Sequence, residues 1–302
     1  MKFNLYFAGS QAKEVDEYIK QLAGCRLFSY ADTLKNPMDY MATAPQCKLF
    51  MDSGAFSIYH NNAVIDIDQY IEFINNTPGI SVFAQLDIIP FPVLNTKTAK
   101  HSSDGSWEQY CYMMEKVTDE QRDKVIPIYH FGEPYSALER MLNTEVHGRI
   151  APYIGVGGRH GVSSTAHEKY FDNIFDIVKK SKNPNVKIHA FGMTVLDLLE
   201  KYPFHSADST TWLMLGVNGN IQTKQGTILV SDRQTGAPGH FNSLPLNKKL
   251  KIVEEIESRG FTLQGVASDY KERLKCNIAY YVDWAKNYQY KPVQLFKRRR
   301  LI

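Results

Sequence analysis

The chain consists of short apolar runs, rich in β-branched and aromatic residues, separated by longer amphipathic stretches. Short apolar runs that end in Gly, Asp or Ser are typical of buried β-strands. Eight runs fit this description and are predicted to be strands: residues 4–8, 48–52, 82–87, 125–130, 153–157, 187–191, 204–208 and 227–231.

The stretches between these strands carry apolar residues at helical spacing, and several begin with the capping residues Ser, Asp or Thr. They predict helices over residues 11–22, 67–74, 106–117, 135–142, 168–180 and 195–201.

Alternating strands and helices favour a parallel sheet, and eight strands fit one closed barrel better than an open sheet. We therefore expect an α/β fold. Residues 1–245 would form a single (β/α)8 TIM-type barrel with an inserted β-hairpin. Residues 246–302 would add C-terminal helices that complete the barrel and a basic tail, without forming an independent domain.

Composition changes this picture little. The 302 residues are 43% apolar and 22% charged, as in soluble globular enzymes, and a net charge of +3 does not by itself indicate nucleic-acid binding. No apolar run approaches the roughly 18 residues of a membrane helix. The polar N-terminal segment is unlike a signal peptide, so we expect a cytoplasmic protein without a membrane partner. The four cysteines include no Cys-x-x-Cys pair, so neither a metal nor a redox centre is expected.

Polar residues that end the predicted strands are the candidates for chemistry, because barrel enzymes react at the carboxyl ends of their strands. Three strands end on aspartate, at Asp52, Asp87 and Asp208. Capping of the next helix explains any one of them, but three together indicate a site. The glycine-rich segment 155–161 has His160 where a dinucleotide fingerprint needs its third glycine. Neither a nicotinamide nor a flavin cofactor is therefore expected.

Several segments, in a fixed order, resemble the motifs of tRNA-guanine transglycosylases. Residues 51–57, Met-Asp-Ser-Gly-Ala-Phe-Ser, are similar to the family motif Asp-Ser-Gly-Gly-Phe/Tyr-Gln. Residues 85–87 resemble its base-recognising segment, 156–158 its Gly-Gly loop, 191–192 its stacking residue before glycine, and Asp208 its nucleophile. Residues 218–228 resemble the hairpin that follows the nucleophile, so the resemblance covers about residues 48–231.

The departures from the family pattern are also specific. The tRNA enzymes contact the anticodon loop through a Pro-Thr-Arg segment, where this chain has Ser-Thr-Thr-Trp at 209–212. Residues 232–275 lack the cysteines of the family's zinc site, His130 replaces a glutamine, and Ala55 replaces a glycine. This pattern is similar to the shorter branch that inserts 7-deazaguanines into DNA. That branch is known chiefly from bacteriophages, and such an enzyme would act in the host cytoplasm.

The resemblance implies a pentosyltransferase that needs no cofactor and no metal. It assigns Asp208 as the nucleophile that attacks C1′ of the sugar and Asp52 as the acid/base. It also implies a set of substrate-binding residues: Ser53, Phe56, Asp87, His130, Gly157, Gly158, Phe191 and Gly192. Core packing is the alternative role for the two phenylalanines, and a structural role is the alternative for His130.

A DNA substrate requires a surface that binds phosphate. The strongest candidates are four consecutive cations, which repel one another unless an anion lies nearby: Lys297, Arg298, Arg299 and Arg300. The expected partners are DNA, or alternatively tRNA, and a free 7-deazaguanine base, and a homodimer is left open. A glycoside hydrolase that releases the base with water is the remaining alternative.

Overall fold

The computed structural model describes residues 3–9, 12–22, 24–32, 34–55, 64–88, 96–158, 161–193 and 195–297. Phe56 and the three arginines of the predicted tail, Arg298, Arg299 and Arg300, lie outside the described residues. Within the described residues, nine strands form one sheet: β1 (Asn4–Phe7), β2 (Cys25–Ser29), β3 (Leu49–Asp52), β4 (Val82–Ala84), β5 (Val125–Ile126), β6 (Ile128–Tyr129), β7 (Tyr153–Gly157), β8 (Lys187–Phe191) and β9 (Ser206–Ser209).

The sheet has the order β5-β4-β3-β2-β1-β9-β8-β7-β6, and all its strand pairs are parallel. Its two edge strands, β5 and β6, are separated in the chain only by Pro127. Proline has no N–H to donate to a neighbouring strand, but the Pro127 carbonyl accepts from Gly155 N–H at 2.8 Å. The edges of the sheet therefore meet, and the sheet is a nearly closed barrel of the TIM type.

Helices connect the strands and cover the outside of the sheet. In chain order they are α1 (Lys13–Gln21), α2 (Lys35–Thr43), α3 (Ile67–Asn76), α4 (Thr96–Lys116), α5 (Asp119–Arg122), α6 (Tyr135–Asn143), α7 (Ser164–Lys180), α8 (Leu196–Lys201), α9 (Thr211–Val217), α10 (Leu246–Ser258), α11 (Leu263–Ser268) and α12 (Tyr270–Asn287). The six helices predicted from the sequence correspond to α1, α3, α4, α6, α7 and α8, with shifted ends.

Successive residues of a strand point to opposite faces of the sheet, and this alternation produces two apolar layers. Tyr6, Phe50, Ala84, Ile126 and Tyr153 belong to a buried cluster inside the barrel. Neighbouring strand residues pack with the helices in a larger outer cluster. The interior is thus filled by side chains, and the polar groups are carried at the carboxyl ends of the strands.

Strand β2 is not predicted by the apolar pattern, because Arg26 interrupts its run. The Arg26 side chain is nevertheless only 1% exposed. Its guanidinium donates to Phe7 O at 2.7 Å and Gly9 O at 2.9 Å, and it forms an ion pair with Asp16 at 3.1 Å. Burial of this charge depends on partners from β1 and α1, which a local pattern does not contain.

The run 227–231, predicted as a strand, does not join the barrel sheet. Instead, β11 (Gly226–Leu229) pairs antiparallel with β10 (Asn220–Thr223) in a separate two-stranded sheet. Ile221 and Ile228 of this sheet pack in a second buried cluster with Ile252 and Ile256 of α10. Among the described residues, none of the helices combines the length and apolar composition that a bilayer crossing requires.

Candidate active site at the carboxyl ends of the strands

Parallel pairing brings the carboxyl ends of the strands to one mouth of the barrel. Asp52 ends β3, His130 directly follows β6, and Asp208 lies in β9. Asp87 follows β4 by three residues and is bonded to His130. The carboxyl group of Asp52 interacts electrostatically with both Asp87 and Asp208. The three aspartates predicted from the sequence therefore lie at the same mouth.

Asp52 is half-buried in a position that disfavours negative charge. Burial, together with the nearby charges of Asp87 and Asp208, raises the pKa of Asp52 to about 7, although Gly54 N–H and His130 act in the opposite direction. Gly54 N–H donates to Asp52 Oδ2 at 3.1 Å. Gly54 has φ of +88°, and a Cβ there would lie 2.6 Å from a neighbouring side chain, so the turn requires glycine. A carboxyl group with this pKa can both donate and accept a proton near neutral pH.

Asp87 is 7% exposed and is held by two side chains. Ser53 Oγ donates to its Oδ1 at 3.2 Å, and His130 Nε2 lies 2.5 Å from its Oδ2. Burial lowers the pKa of His130, but the hydrogen bond and charge of Asp87 outweigh burial and raise that pKa above its ordinary value. Each carboxylate oxygen has two lone pairs, so Asp87 retains acceptor capacity for a ligand.

Glu133 is a site residue that the sequence analysis did not single out. It is 5% exposed, and its Oε2 accepts from His130 N–H at 2.9 Å, while its own N–H donates to His130 O at 3.2 Å. Burial and the charge of Asp87 raise the pKa of Glu133 to about 7, against the lowering influence of His130 and Arg140. These reciprocal bonds fix the backbone that carries the imidazole of His130.

The glycines that end β7 leave room for His130. A Cβ on Gly157 would lie 3.1 Å from His130 Nδ1, so the imidazole packs directly against the backbone of β7. The Gly157 carbonyl accepts from the Tyr170 hydroxyl at 3.2 Å, which holds the end of the strand against α7. Gly158 follows and is exposed at the mouth. The two glycines thus carry the backbone to the edge of the site.

Phe191 ends β8 and is half-buried. A Cβ on Gly155 would lie 2.4 Å from its ring, so glycine on the neighbouring strand permits this placement. The ring centroid lies 4.5 Å from that of His189 and 5.5 Å from that of Phe50, in edge-on contact with both. Phe191 therefore packs on the barrel interior and keeps part of its surface exposed.

Asp208 is 7% exposed and is held by two N–H donors. Gly192 N–H donates to Oδ1 at 2.9 Å, and His189 Nε2 lies 3.2 Å from the same oxygen. Gly192 has φ of +64°, a conformation that glycine adopts readily and that aims its N–H at the carboxylate. Among the described residues, both of these donors meet Oδ1, and none donates to Oδ2.

Three polar side chains behind Asp208 were also not predicted. His189 and Ser206 are fully buried, and His189 Nδ1 lies 2.5 Å from Ser206 Oγ, which is also bonded to the Tyr153 hydroxyl. Burial lowers the pKa of His189. A signal was present in the sequence, because His189 precedes Phe191 by two residues and Ser206 precedes Asp208 by two. This spacing puts each on the strand face of a predicted site residue.

Lys297, the described residue of the predicted basic tail, lies beside α7 and α8. It lines a surface cavity of about 620 Å³ together with the carboxyl groups of Glu168, Asp172, Asp197 and Glu200. None of the predicted residues at the mouth lines this cavity.

The mouth combines groups suited to proton transfer and to nucleophilic attack. Asp52 has a pKa near 7, whereas Asp208 accepts two hydrogen bonds on one oxygen. Two carboxyl groups in different surroundings can take the roles of acid/base and nucleophile. Among the residues that the structure describes, no three His, Cys, Asp or Glu side chains are grouped so as to hold a metal ion.

No protein-family model matches the sequence, and no curated protein matches it either.

Proposed function

We propose that this protein is a base-exchange transglycosylase that replaces guanine in DNA with a free 7-deazaguanine, such as 7-cyano-7-deazaguanine. The observation that carries the proposal is the placement of Asp52, Asp87 and Asp208 at one barrel mouth, each with different partners. In this proposal β5 and β6 are two halves of one strand, and the barrel is an eight-stranded (β/α)8 barrel.

The proposed reaction consists of two displacements at one carbon. Asp208 attacks C1′ of the sugar, the bond between C1′ and N9 breaks, and guanine departs with a proton from Asp52. The carboxylate of Asp52 then takes the N9 proton of the incoming base, whose N9 attacks C1′ and releases Asp208. Two inversions retain the configuration at C1′. The proton returns to Asp52, so neither ATP nor a cofactor is consumed.

Asp87 is proposed to recognise the edge of the base. Guanine and 7-deazaguanine both present adjacent donors at N1 and the exocyclic N2, which suit a carboxylate acceptor. The bonds from Ser53 and His130 keep Asp87 in one orientation, with lone pairs still available. The exposed backbone at Gly158 is suited to donate to O6, and the exposed part of the Phe191 ring is suited to stack on the base.

The choice of DNA over tRNA is supported by the segment that replaces Pro-Thr-Arg. Trp212 of this segment is 1% exposed, and its indole N–H donates to Ala8 O at 3.0 Å. Ser209 Oγ bonds to Thr211 in the same segment. These side chains make internal contacts at the start of α9 and do not present the cation that the tRNA enzymes use. A base in duplex DNA must be flipped out of the stack to reach Asp208.

The test incubates the protein with 7-cyano-7-deazaguanine and separate pools of DNA and tRNA, followed by mass spectrometry of the digested nucleosides. We expect the deazaguanine deoxynucleoside in the DNA pool and free guanine in equal amount. The Asp208→Asn variant should form neither product nor covalent adduct. Modified nucleoside in the tRNA pool alone would assign the enzyme to tRNA. Abasic sites with free guanine would assign it to the glycoside hydrolases.

A further inference from the structure

Four polar side chains from three adjacent strands meet inside the barrel beneath the mouth. His189 of β8 and Ser206 of β9 are paired across the sheet, and Asp208 follows Ser206 by two residues on the same face. Tyr153 of β7 reaches the same point through its hydroxyl. The result is one continuous series of hydrogen bonds from Tyr153 through Ser206 and His189 to Asp208.

Hydrogen-bond chemistry permits one direction for this series. A carboxylate at Asp208 only accepts, so His189 Nε2 must carry the hydrogen. A neutral imidazole then has a lone pair on Nδ1, which accepts from the Ser206 hydroxyl. That hydroxyl has used its one hydrogen, so its oxygen accepts from the Tyr153 O–H. Every donor in the series therefore points toward Asp208.

The surroundings of His189 fix its imidazole in one orientation. The ring centroid lies 4.6 Å from that of Phe50, 4.5 Å from that of Phe191 and 5.9 Å from that of Tyr6. These contacts leave the imidazole fully buried. Ser206 is equally buried, so a Ser-His-Asp set with the hydroxyl as nucleophile does not fit this site, because a substrate cannot reach the serine.

We propose that Tyr153, Ser206 and His189 form a positioning relay that, with Gly192 N–H, holds Oδ1 of Asp208 and directs Oδ2 at the sugar. This inference rests on the proposed function, since it takes Asp208 as the nucleophile. The three side chains touch neither the base nor the sugar and act only through Asp208. Misplacing a nucleophile by about 1 Å costs roughly a hundredfold in rate, so the relay is expected to affect the chemical step and not the binding of the free base.

The test compares two substitutions of His189. Glutamine places its amide N–H near the position of the Nε2–H, whereas asparagine is too short to do so. We expect His189→Asn to slow formation of the covalent intermediate by about 100-fold with KM for the free base unchanged, and His189→Gln to restore most of that rate. Tyr153→Phe should slow the same step less, and Tyr290→Phe is the matched control. Thermal unfolding establishes that each variant folds.

A second measurement does not depend on activity. The ¹⁵N NMR spectrum of the wild-type protein near pH 7 should show a neutral His189 with its hydrogen on Nε2, its Nδ1 signal shifted by Tyr153→Phe and its Nε2 signal shifted by Asp208→Asn. A hydrogen on Nδ1, or equal rates for all variants of an active enzyme, would overturn the relay. If the wild type exchanges no base while these NMR shifts are found, the proposed function fails and the hydrogen-bond series stands.

Discussion

Asp52 and Asp208 are the same residue type at the same mouth, but their neighbours differ in a way that fits the two roles proposed for them. Asp52 accepts one backbone N–H and interacts with two other carboxyl groups, which together with burial raises its pKa to about 7. Asp208 instead accepts from Gly192 and His189. A carboxyl group that is protonated near neutrality suits the departure of a base, and an oriented carboxylate suits attack on C1′.

The raised pKa of Asp52 predicts how the first chemical step responds to pH. In the proposed reaction, departing guanine takes its proton from the acid form of Asp52, and that form is lost as the pH rises through about 7. Formation of the covalent intermediate in a single turnover should therefore fall about tenfold per pH unit at high pH. Asp52→Asn should remove most of the rate and this dependence on pH together. If the rate and its pH dependence are unchanged in Asp52→Asn, Asp52 has a structural role and is not the proton donor.

Gly157 offers a test of the contact between β7 and His130. A Cβ at this position would lie 3.1 Å from His130 Nδ1, so Gly157→Ala should push the imidazole and disturb its bond to Asp87. We expect binding of the free base, measured by calorimetry, to weaken by about tenfold, with a loss of stability of about 1 kcal/mol. Gly236→Ala is the control, because its Cβ would meet open space. Equal affinities of Gly157→Ala and the wild-type protein for the free base would show that the position of His130 does not contribute to base recognition.

The three aspartates could be predicted from the sequence because each ends a predicted strand, and the barrel rule places such residues at one mouth. The role of His189 could not be predicted in this way. Its partner is set by the register that pairs it with Ser206 across two strands, and register is a property of the folded sheet. Glu133 could not be predicted either, because its carboxyl group is buried only by the folded chain and no local pattern in the sequence shows that burial.

The six predicted helices and all eight predicted strands have counterparts in the structure, several with shifted ends, and seven of those strands lie in the barrel sheet. Strand β2 is a barrel strand that was not predicted, because Arg26 interrupts its apolar run and finds its partners in β1 and α1. The run 227–231 has the same apolar pattern as a barrel strand but pairs with β10. Apolar patterning thus identifies a strand but does not identify the sheet that it joins.

One buried amide joins the two-stranded sheet of β10 and β11 to α9 and α12. Asn277 is fully buried, and its Oδ1 accepts from Gln222 N–H at 2.7 Å while its Nδ2 donates to Trp212 O and Asn220 O, each at 3.2 Å. Asn277→Ala should lower the free energy of unfolding by about 2 to 3 kcal/mol, because it leaves buried backbone groups without partners. Thermal and denaturant unfolding measure this loss. The exposed Asn287→Ala is the control and should change stability by less than about 0.5 kcal/mol.

A net charge of +3 on the whole molecule does not concentrate DNA on its surface, so the proposed DNA binding has to come from local groups. If the tail binds phosphates, the logarithm of DNA affinity should fall with the logarithm of salt by about 0.9 per phosphate contacted. Deleting residues 297–302 should flatten that slope, while Lys182→Ala should leave it unchanged. An unaltered slope after the deletion would assign phosphate binding to another surface. Carboxyl groups line the same cavity as Lys297 and repel phosphate, so a flattened slope after the deletion would be strong support for binding by the tail.

We expect the junction at Pro127 to make one part of the barrel's circumference easier to open than the rest. Strands β5 and β6 contribute two residues each, and the ladders on either side rely on few amides, among them Phe83 N–H to Lys124 O at 2.8 Å and Gly155 N–H to Pro127 O at 2.8 Å. Hydrogen exchange of these amides should be faster than in the longer ladder between β1 and β9, since subglobal opening needs fewer bonds broken. His130 directly follows β6, so the part of the sheet that we expect to be least protected also carries a side chain of the candidate site.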